Sequence, residues 1–212
     1  MSIYCPDLKL LYIQTPCTGS TALGRFLVDH FGGVDFGGQH MVVSEAVAMW
    51  PETAKAYKFC TIRNPYDKIV TQYYKHNFHD SIKYPNDLYR WCFKNRPTFE
   101  EYVHSALVKF ERVKDWSVYF PRLGKDLGDW VWIKGVDEVL PQEQIQDGIY
   151  WILRRLGVET KLVVPRQNET SGKGYYQSLH TQLSRNIVSE KYGSFMFKFG
   201  YSFHGNVRQI KL

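Results

Sequence analysis

The sequence predicts an α/β protein built on a central, mainly parallel sheet with helices on both faces. Apolar runs of strand length recur at Leu10 to Ile13, Tyr57 to Ile62 and Trp130 to Ile133. The first two run at once into a polar turn and then an amphipathic helical pattern, and a third helical pattern follows the last run after KGVDEVL. Strands separated by helices favour parallel pairing with both faces covered, and ligands then bind at the carboxyl ends of the strands.

Leu10 to Leu27, LLYIQTPCTGSTALGRFL, reads as strand, tight loop and helix. Pro16 cannot continue a ladder, Gly19 permits a turn that a side chain would forbid, and Ser20 or Thr21 is expected to cap the helix marked by Leu23, Phe26 and Leu27. The Gly-rich FGGVDFGGQHM then brings His40 back toward the body of the chain, and Ser44 is expected to cap a short helix from Glu45 to Trp50. After YKFCTI, Pro65 suits the first turn of a helix with Ile69, Val70 and Tyr73 on one face.

From His76 to Pro97 aromatic and basic residues mingle, which suits a sugar or anionic acceptor and equally suits helices with rings on the core and basic tips in water. Thr98 and Glu101 form a capping box for a helix toward Val113. WVWI is expected to be a third strand. Ile145, Ile149, Ile152 and Leu156 then mark a helix ending at Gly157, Leu162 to Val164 a last strand, and Leu183, Ile187 and Val188 a final helix before FKFGYSF.

A chain of 212 residues suits one domain spanning 1–212, with an acceptor-binding helical insertion at about 76–128. Hydrophobic content of 44% and charged content of 23% are those of a globular protein, and the net charge of +6 favours an anionic ligand. The basic residues are scattered, which speaks against a nucleic-acid partner. No apolar run approaches the roughly 18 residues of a membrane span, and the expected location is cytoplasmic. Cys5, Cys17, Cys60 and Cys92 lack metal-knuckle spacing and are expected to be free thiols, with no metal ligands among them.

Thr15 to Thr21 carries the most chemistry. At a helix start the first amides have no internal partner and the macrodipole is positive, so an anion is stabilised there, and Thr18, Ser20 and Thr21 add hydroxyls. A plain βα turn uses the same residue types. A nucleotide-hydrolysing loop needs GxxxxGK[ST], and this loop has one glycine and no Lys. A Cys-based phosphatase needs an Arg where Leu23 stands, and Arg25 lies too far along.

TPCTGSTAL resembles the 5′-phosphosulfate loop of sulfotransferases that use 3′-phosphoadenosine 5′-phosphosulfate (PAPS), written P-K-T-G-(G/S)-T-S-L in the carbohydrate (heparan and chondroitin type) branch. KFCTIRNPYDKIVTQYY resembles that family's 3′-phosphate segment, F-x-x-V-R-N-P-Y-D-R-L-V-S-x-Y. The similarity continues through WIKGVDEVLPQEQ and VPRQNETSGKGYY to KFGY, covering most of the chain in order.

The resemblance implies a P-loop-like, three-layer fold and a PAPS-dependent enzyme that needs no metal. It places Pro16, Cys17, Thr18, Gly19, Ser20 and Thr21 around the 5′-phosphosulfate and Arg63 and Thr71 on the 3′-phosphate, where the family usually has Ser for Thr71. Lys173 is implied as a further phosphate contact, although a solvated loop Lys looks the same in sequence. His40 is the implied base, with Glu45 as the alternative. The acceptor is a hydroxyl, expected on a saccharide, a glycolipid or another small molecule.

Cys17 departs from the family, which has there the Lys that neutralises the bridging oxygen as the S–O bond breaks, and a thiol supplies no such charge. Two rivals follow: a catalytically weak module that binds PAPS or its bisphosphate product PAP, and a small-molecule kinase of P-loop architecture, which would demand magnesium.

Overall fold

A computed structural model describes residues 2–38, 40–78, 87–109, 122–123, 126–165 and 174–205. In chain order they form β1 (Ser2–Cys5), β2 (Leu10–Ile13), α1 (Ser20–Phe31), β3 (Val34–Phe36), α2 (Val43–Met49), β4 (Tyr57–Ile62), α3 (Pro65–Phe78), α4 (Asp87–Asn95), α5 (Phe99–Leu107), β5 (Arg122–Leu123), β6 (Asp126–Leu127), α6 (Trp130–Ile133), β7 (Glu138–Pro141), α7 (Ile145–Arg155) and α8 (Gln182–Phe199). The chain divides into two compact units, the first holding described residues of 2–63 and 131–165, the second those of 64–130 and 174–205.

The first unit is α/β. Its sheet runs β3-β1-β2-β4-β7, with β2, β4 and β7 parallel and β1 antiparallel to both of its neighbours. The mainly parallel expectation therefore holds, with one antiparallel strand between β3 and β2. Residues along each strand alternate between two cores, as the pleat requires. Ile3, Cys5, Leu10, Tyr12, Phe59 and Leu140 pack with Leu23, Phe26 and Leu27 of α1 and with Ile149, Ile152 and Leu153 of α7. Tyr4, Leu11, Ile13 and Cys60 pack on the other face with Met41, Ala46 and Trp132. Burial of the Cys5 thiol pushes its pKa up to about 12, so it behaves as a small apolar side chain.

Two expected strands are corrected. WVWI is a single helical turn, α6, and the third parallel strand is β7, EVLP. Four apolar residues carry no period that separates strand from helix. Here Trp132 is buried against the sheet while Val131 is exposed. Leu162 to Val164 forms no strand: its backbone bonds instead to α7 side chains, Tyr150 Oη donating to the Leu162 carbonyl (2.7 Å) and Val164 N–H to Gln146 Oε1 (2.9 Å). The cap of α2 also moves. Its N-cap is Val42, whose N–H donates to Glu45 Oε2 (3.0 Å), and the helix begins at Val43.

In the second unit α3 begins at Pro65, and the capping box opens α5, Glu101 N–H donating to Thr98 Oγ1 (3.3 Å) and Thr98 N–H to Glu101 Oε2 (2.8 Å). That helix ends at Leu107, and the remainder of the span expected to reach Val113 lies partly outside the described residues. The final helix, α8, runs past Leu183 and Ile187 to Phe199 and closes on Gly200. Lys68 and Asp129 form a buried ion pair, in which burial pushes the carboxyl up and the ammonium pulls it back. His180 is sealed among Tyr66, Phe99 and Phe203, all edge-on at 4.8–5.7 Å, with Nε2–H donating to the Tyr66 carbonyl (3.1 Å).

Burial holds the His180 pKa below its ordinary 6.5, because the imidazolium loses its water. Between the depressed value and 6.5 the unfolded chain therefore binds more protons than the native one, and stability is fully present above 6.5 and lost as pH falls through that window. The melting temperature is expected to fall as pH is lowered through 6.5, and to fall less in His180→Gln. Equal slopes for the two chains in a pH series of thermal melts would contradict this.

Candidate functional site

The candidate site is built where β2, β4 and β7 end on the same edge of the first unit, as parallel pairing of β2 with β4 and β4 with β7 requires. Beyond β2, Gln14, Thr15 and Pro16 are buried, Cys17 is half-exposed with φ +61°, and Gly19 turns the chain into α1 with φ +73°. Among the described residues the non-glycine positions with positive φ are Lys9, Cys17, His40 and Arg96, so two of the four belong to the expected site. Such conformations cost about 1–3 kcal/mol each and persist where surrounding contacts impose them. At Cys17 the contact is visible: Arg63, the residue after β4, donates Nη1–H to the Cys17 carbonyl at 3.1 Å.

Beneath the loop lies a directed chain of hydroxyls. Thr18 Oγ1 donates to the Thr15 carbonyl (2.8 Å) and lies 2.6 Å from Thr61 Oγ1, which lies 2.9 Å from Tyr12 Oη. A carbonyl can only accept, so the Thr18 hydrogen is committed, Thr61 must donate to Thr18, and Tyr12 to Thr61. All three side chains are fully buried, and burial pushes the Tyr12 phenol far above its ordinary value, which keeps the donor protonated. The loop is thus pinned to β2 and β4 from below. Thr18 spends its hydroxyl on this anchor, so what it can offer an anion is its backbone N–H.

The helix start differs from the expected cap. Gly19, not Ser20 or Thr21, is the N-cap, and no side chain caps α1. Ala22 and Leu23 N–H both donate to the Gly19 carbonyl (3.1 and 3.3 Å), and the amides before them have no acceptor inside the helix. That leaves donors and the positive end of the dipole at the loop, the arrangement that stabilises an anion. Ser20 is buried and Thr21 exposed.

His40 is tied to the base of this loop. Its ring Nδ1 lies 3.0 Å from the Gln14 carbonyl and must donate to it, so in the neutral ring the basic lone pair is on Nε2. Its own carbonyl accepts from Trp132 Nε1 at 2.8 Å. Glu45 is exposed, and its carboxylate serves the α2 cap.

Gln142, just past β7, was not singled out by the sequence. Its Cγ and Nε2 lie 3.3 and 3.5 Å from where a Cβ on Gly19 would stand, so the carboxamide rests over the loop in close contact with position 19. The signal that would have found it is a polar residue at the carboxyl end of the third parallel strand, which the misread WVWI hid.

The structure thus brings together the Pro16 to Thr21 loop, Arg63 and His40. Thr71 belongs to the second unit, where it is buried and donates Oγ1–H to the Asp67 carbonyl one turn back (3.1 Å). Lys173 and part of the 76–128 segment lie outside the described residues. Within that segment Phe93 is exposed, with the Arg96 guanidinium 4.6 Å above its ring. The four cysteines form no disulfide, and no helix among the described residues is long and apolar enough to cross a membrane.

Replacing Thr61 by Val removes the middle of the hydroxyl chain, strands the Tyr12 Oη donor and leaves Thr18 Oγ1 with the Thr15 carbonyl alone. The expected cost is about 1–3 kcal/mol in urea unfolding. Tyr12→Phe, which removes only the terminal donor, is expected to cost less. The reverse order would contradict the central place of Thr61 in the chain.

No protein-family model matches the sequence, and neither a curated protein nor a solved structure matches it.

Proposed function

We propose that this chain is a PAPS-dependent sulfotransferase of P-loop-like, three-layer architecture that modifies a hydroxyl on a saccharide, glycolipid or other small-molecule acceptor. The observation that carries the reading is the tie between His40 and the Gln14 carbonyl, which holds a basic imidazole at the root of a loop with an uncapped helix start. Sequence resemblance over most of the chain supports the choice of sulfuryl rather than phosphoryl chemistry.

PAPS supplies a sulfuryl group on a phosphate leaving group. The amides at the start of α1 and the helix dipole are suited to its 5′ end, and Arg63, with a planar fork of donors, to its 3′-phosphate. His40 Nε2 accepts the proton of the acceptor hydroxyl as that oxygen forms its bond to sulfur and the sulfur–oxygen bond to the 5′-phosphate breaks. Transfer thereby yields a sulfate ester, PAP and an imidazolium that returns its proton to water. Thr71 and Lys173 are further phosphate contacts by the sequence resemblance alone, the Thr71 hydroxyl donating to the Asp67 carbonyl in the second unit. Cysteines that form no disulfide suit a reducing compartment, and the cytoplasm is proposed as its location.

One observation favours a second reading. Cys17 offers no cation to the bridging oxygen, and loss of such help commonly costs about 3–4 kcal/mol of barrier, so a PAP-binding module of low turnover is the alternative.

Radiolabelled sulfuryl transfer from PAPS to a panel of saccharides and phenols, with a chelator present, tests the proposal. Turnover is expected, and His40→Ala is expected to lower kcat roughly a hundred-fold while leaving PAP affinity unchanged. An undiminished rate in that variant removes His40 as base. Absence of transfer to every acceptor leaves the binding module, and phosphoryl transfer from ATP that requires magnesium replaces the proposal with the kinase.

A further inference from the structure

We infer that Trp132 is a positioning residue for His40, fixing its backbone and through it the tautomer that places the basic lone pair on Nε2. The inference rests on the reading of His40 as base and adds a residue that the motifs do not mark.

Three structural features converge on it. First, His40 is in the left-handed region with φ +58°, a conformation uncommon for a residue with a side chain, and its carbonyl accepts from Trp132 Nε1 at 2.8 Å. Second, Trp132 does not owe its own position to the site. It is buried in the core formed by Leu11, Ile13, Met41 and Ala46, on a face of the sheet. The indole N–H therefore carries the rigidity of the sheet to the backbone of His40. Third, the ring is held at its other end by the Gln14 carbonyl, 3.0 Å from Nδ1.

Between these two anchors only the side-chain torsions of His40 remain, and both are set once backbone and Nδ1 are fixed. The rings of His40 and Trp132 also meet edge-on, 6.4 Å apart at 75°. Removing the indole N–H while keeping the bicyclic shape leaves the packing and takes away the donor. The left-handed backbone then relaxes, the Nδ1 bond to Gln14 is lost for part of the time, and the imidazole samples both tautomers. A base with its proton on Nε2 cannot take another at that nitrogen.

The test uses the full chain labelled with 15N-histidine, the His40 signals being identified by their loss in His40→Gln. Long-range 1H–15N correlation at a pH where the ring is neutral is expected to show a protonated Nδ1 and an unprotonated Nε2 in the wild type. In Trp132→Phe the two nitrogen shifts are expected to move toward each other, and kcat to fall roughly ten- to hundred-fold with acceptor KM and PAP affinity nearly unchanged. Replacement of Trp132 by benzothienylalanine, which keeps the bicyclic shape and lacks the N–H, repeats the comparison in a chain whose core volume is preserved. A wild-type spectrum with the proton on Nε2, or shifts identical in the wild type and the benzothienylalanine chain, overturns the inference. The tautomer is read without turnover, so the expected spectra in a chain that transfers no sulfuryl group keep the positioning role and remove the sulfotransferase reading.

Discussion

The hydrogen-bonded series from Tyr12 through Thr61 and Thr18 to the Thr15 carbonyl is the interaction on which the site depends. It joins two adjacent parallel strands to the loop that follows the first of them. Tyr12 stacks on Phe59, its register partner in β4, with ring centroids 4.7 Å apart and planes 18° from parallel. Packing thus fixes the first donor, and donor direction then fixes every hydrogen down to the loop. Buried hydroxyls left without partners cost about 1–3 kcal/mol each, so the series favours one loop conformation over alternatives that break it.

That anchor makes the strained backbone above it affordable. Cys17 and Gly19 are both left-handed, and the Cys17 carbonyl is turned to receive the Arg63 guanidinium. Arg63 follows β4 directly, the strand that also supplies Thr61. One strand thus holds the loop from beneath through a hydroxyl and from the side through a cation. Preorganisation of this kind is what an anion site needs, since donors already in place need not be ordered when the ligand arrives.

Much of this was legible in the sequence, for identifiable reasons. β2, β4 and their loops declare themselves because LLYI is buried and apolar throughout, YKFCTI is rich in aromatic and β-branched residues, and each runs into a polar turn containing Pro. β1 and β3 do not: SIYC is four residues long, and VDF lies between glycines with Val34 and Asp35 exposed. β7 hides because an edge strand is buried less, so Glu138 can open it, while the more apolar WVWI nearby looks like the better strand. The capping box at Thr98 is local and was readable. Gln142 over Gly19 and the tautomer of His40 arise from contacts between residues 123 and 26 positions apart, which no local pattern encodes.

The proposed reading turns on one claim, that the start of α1 and Arg63 serve a nucleotide with two separate phosphates. Cys17 bears on the rate of chemistry and leaves that claim untouched, because its contribution to the loop is a carbonyl. Calorimetric titration of the full chain with PAP addresses the claim most directly. Saturable binding at a single site is expected, weakened roughly ten-fold or more in Arg63→Ala through loss of a charged hydrogen bond. No heat at millimolar PAP, or affinity unchanged in Arg63→Ala, would contradict it.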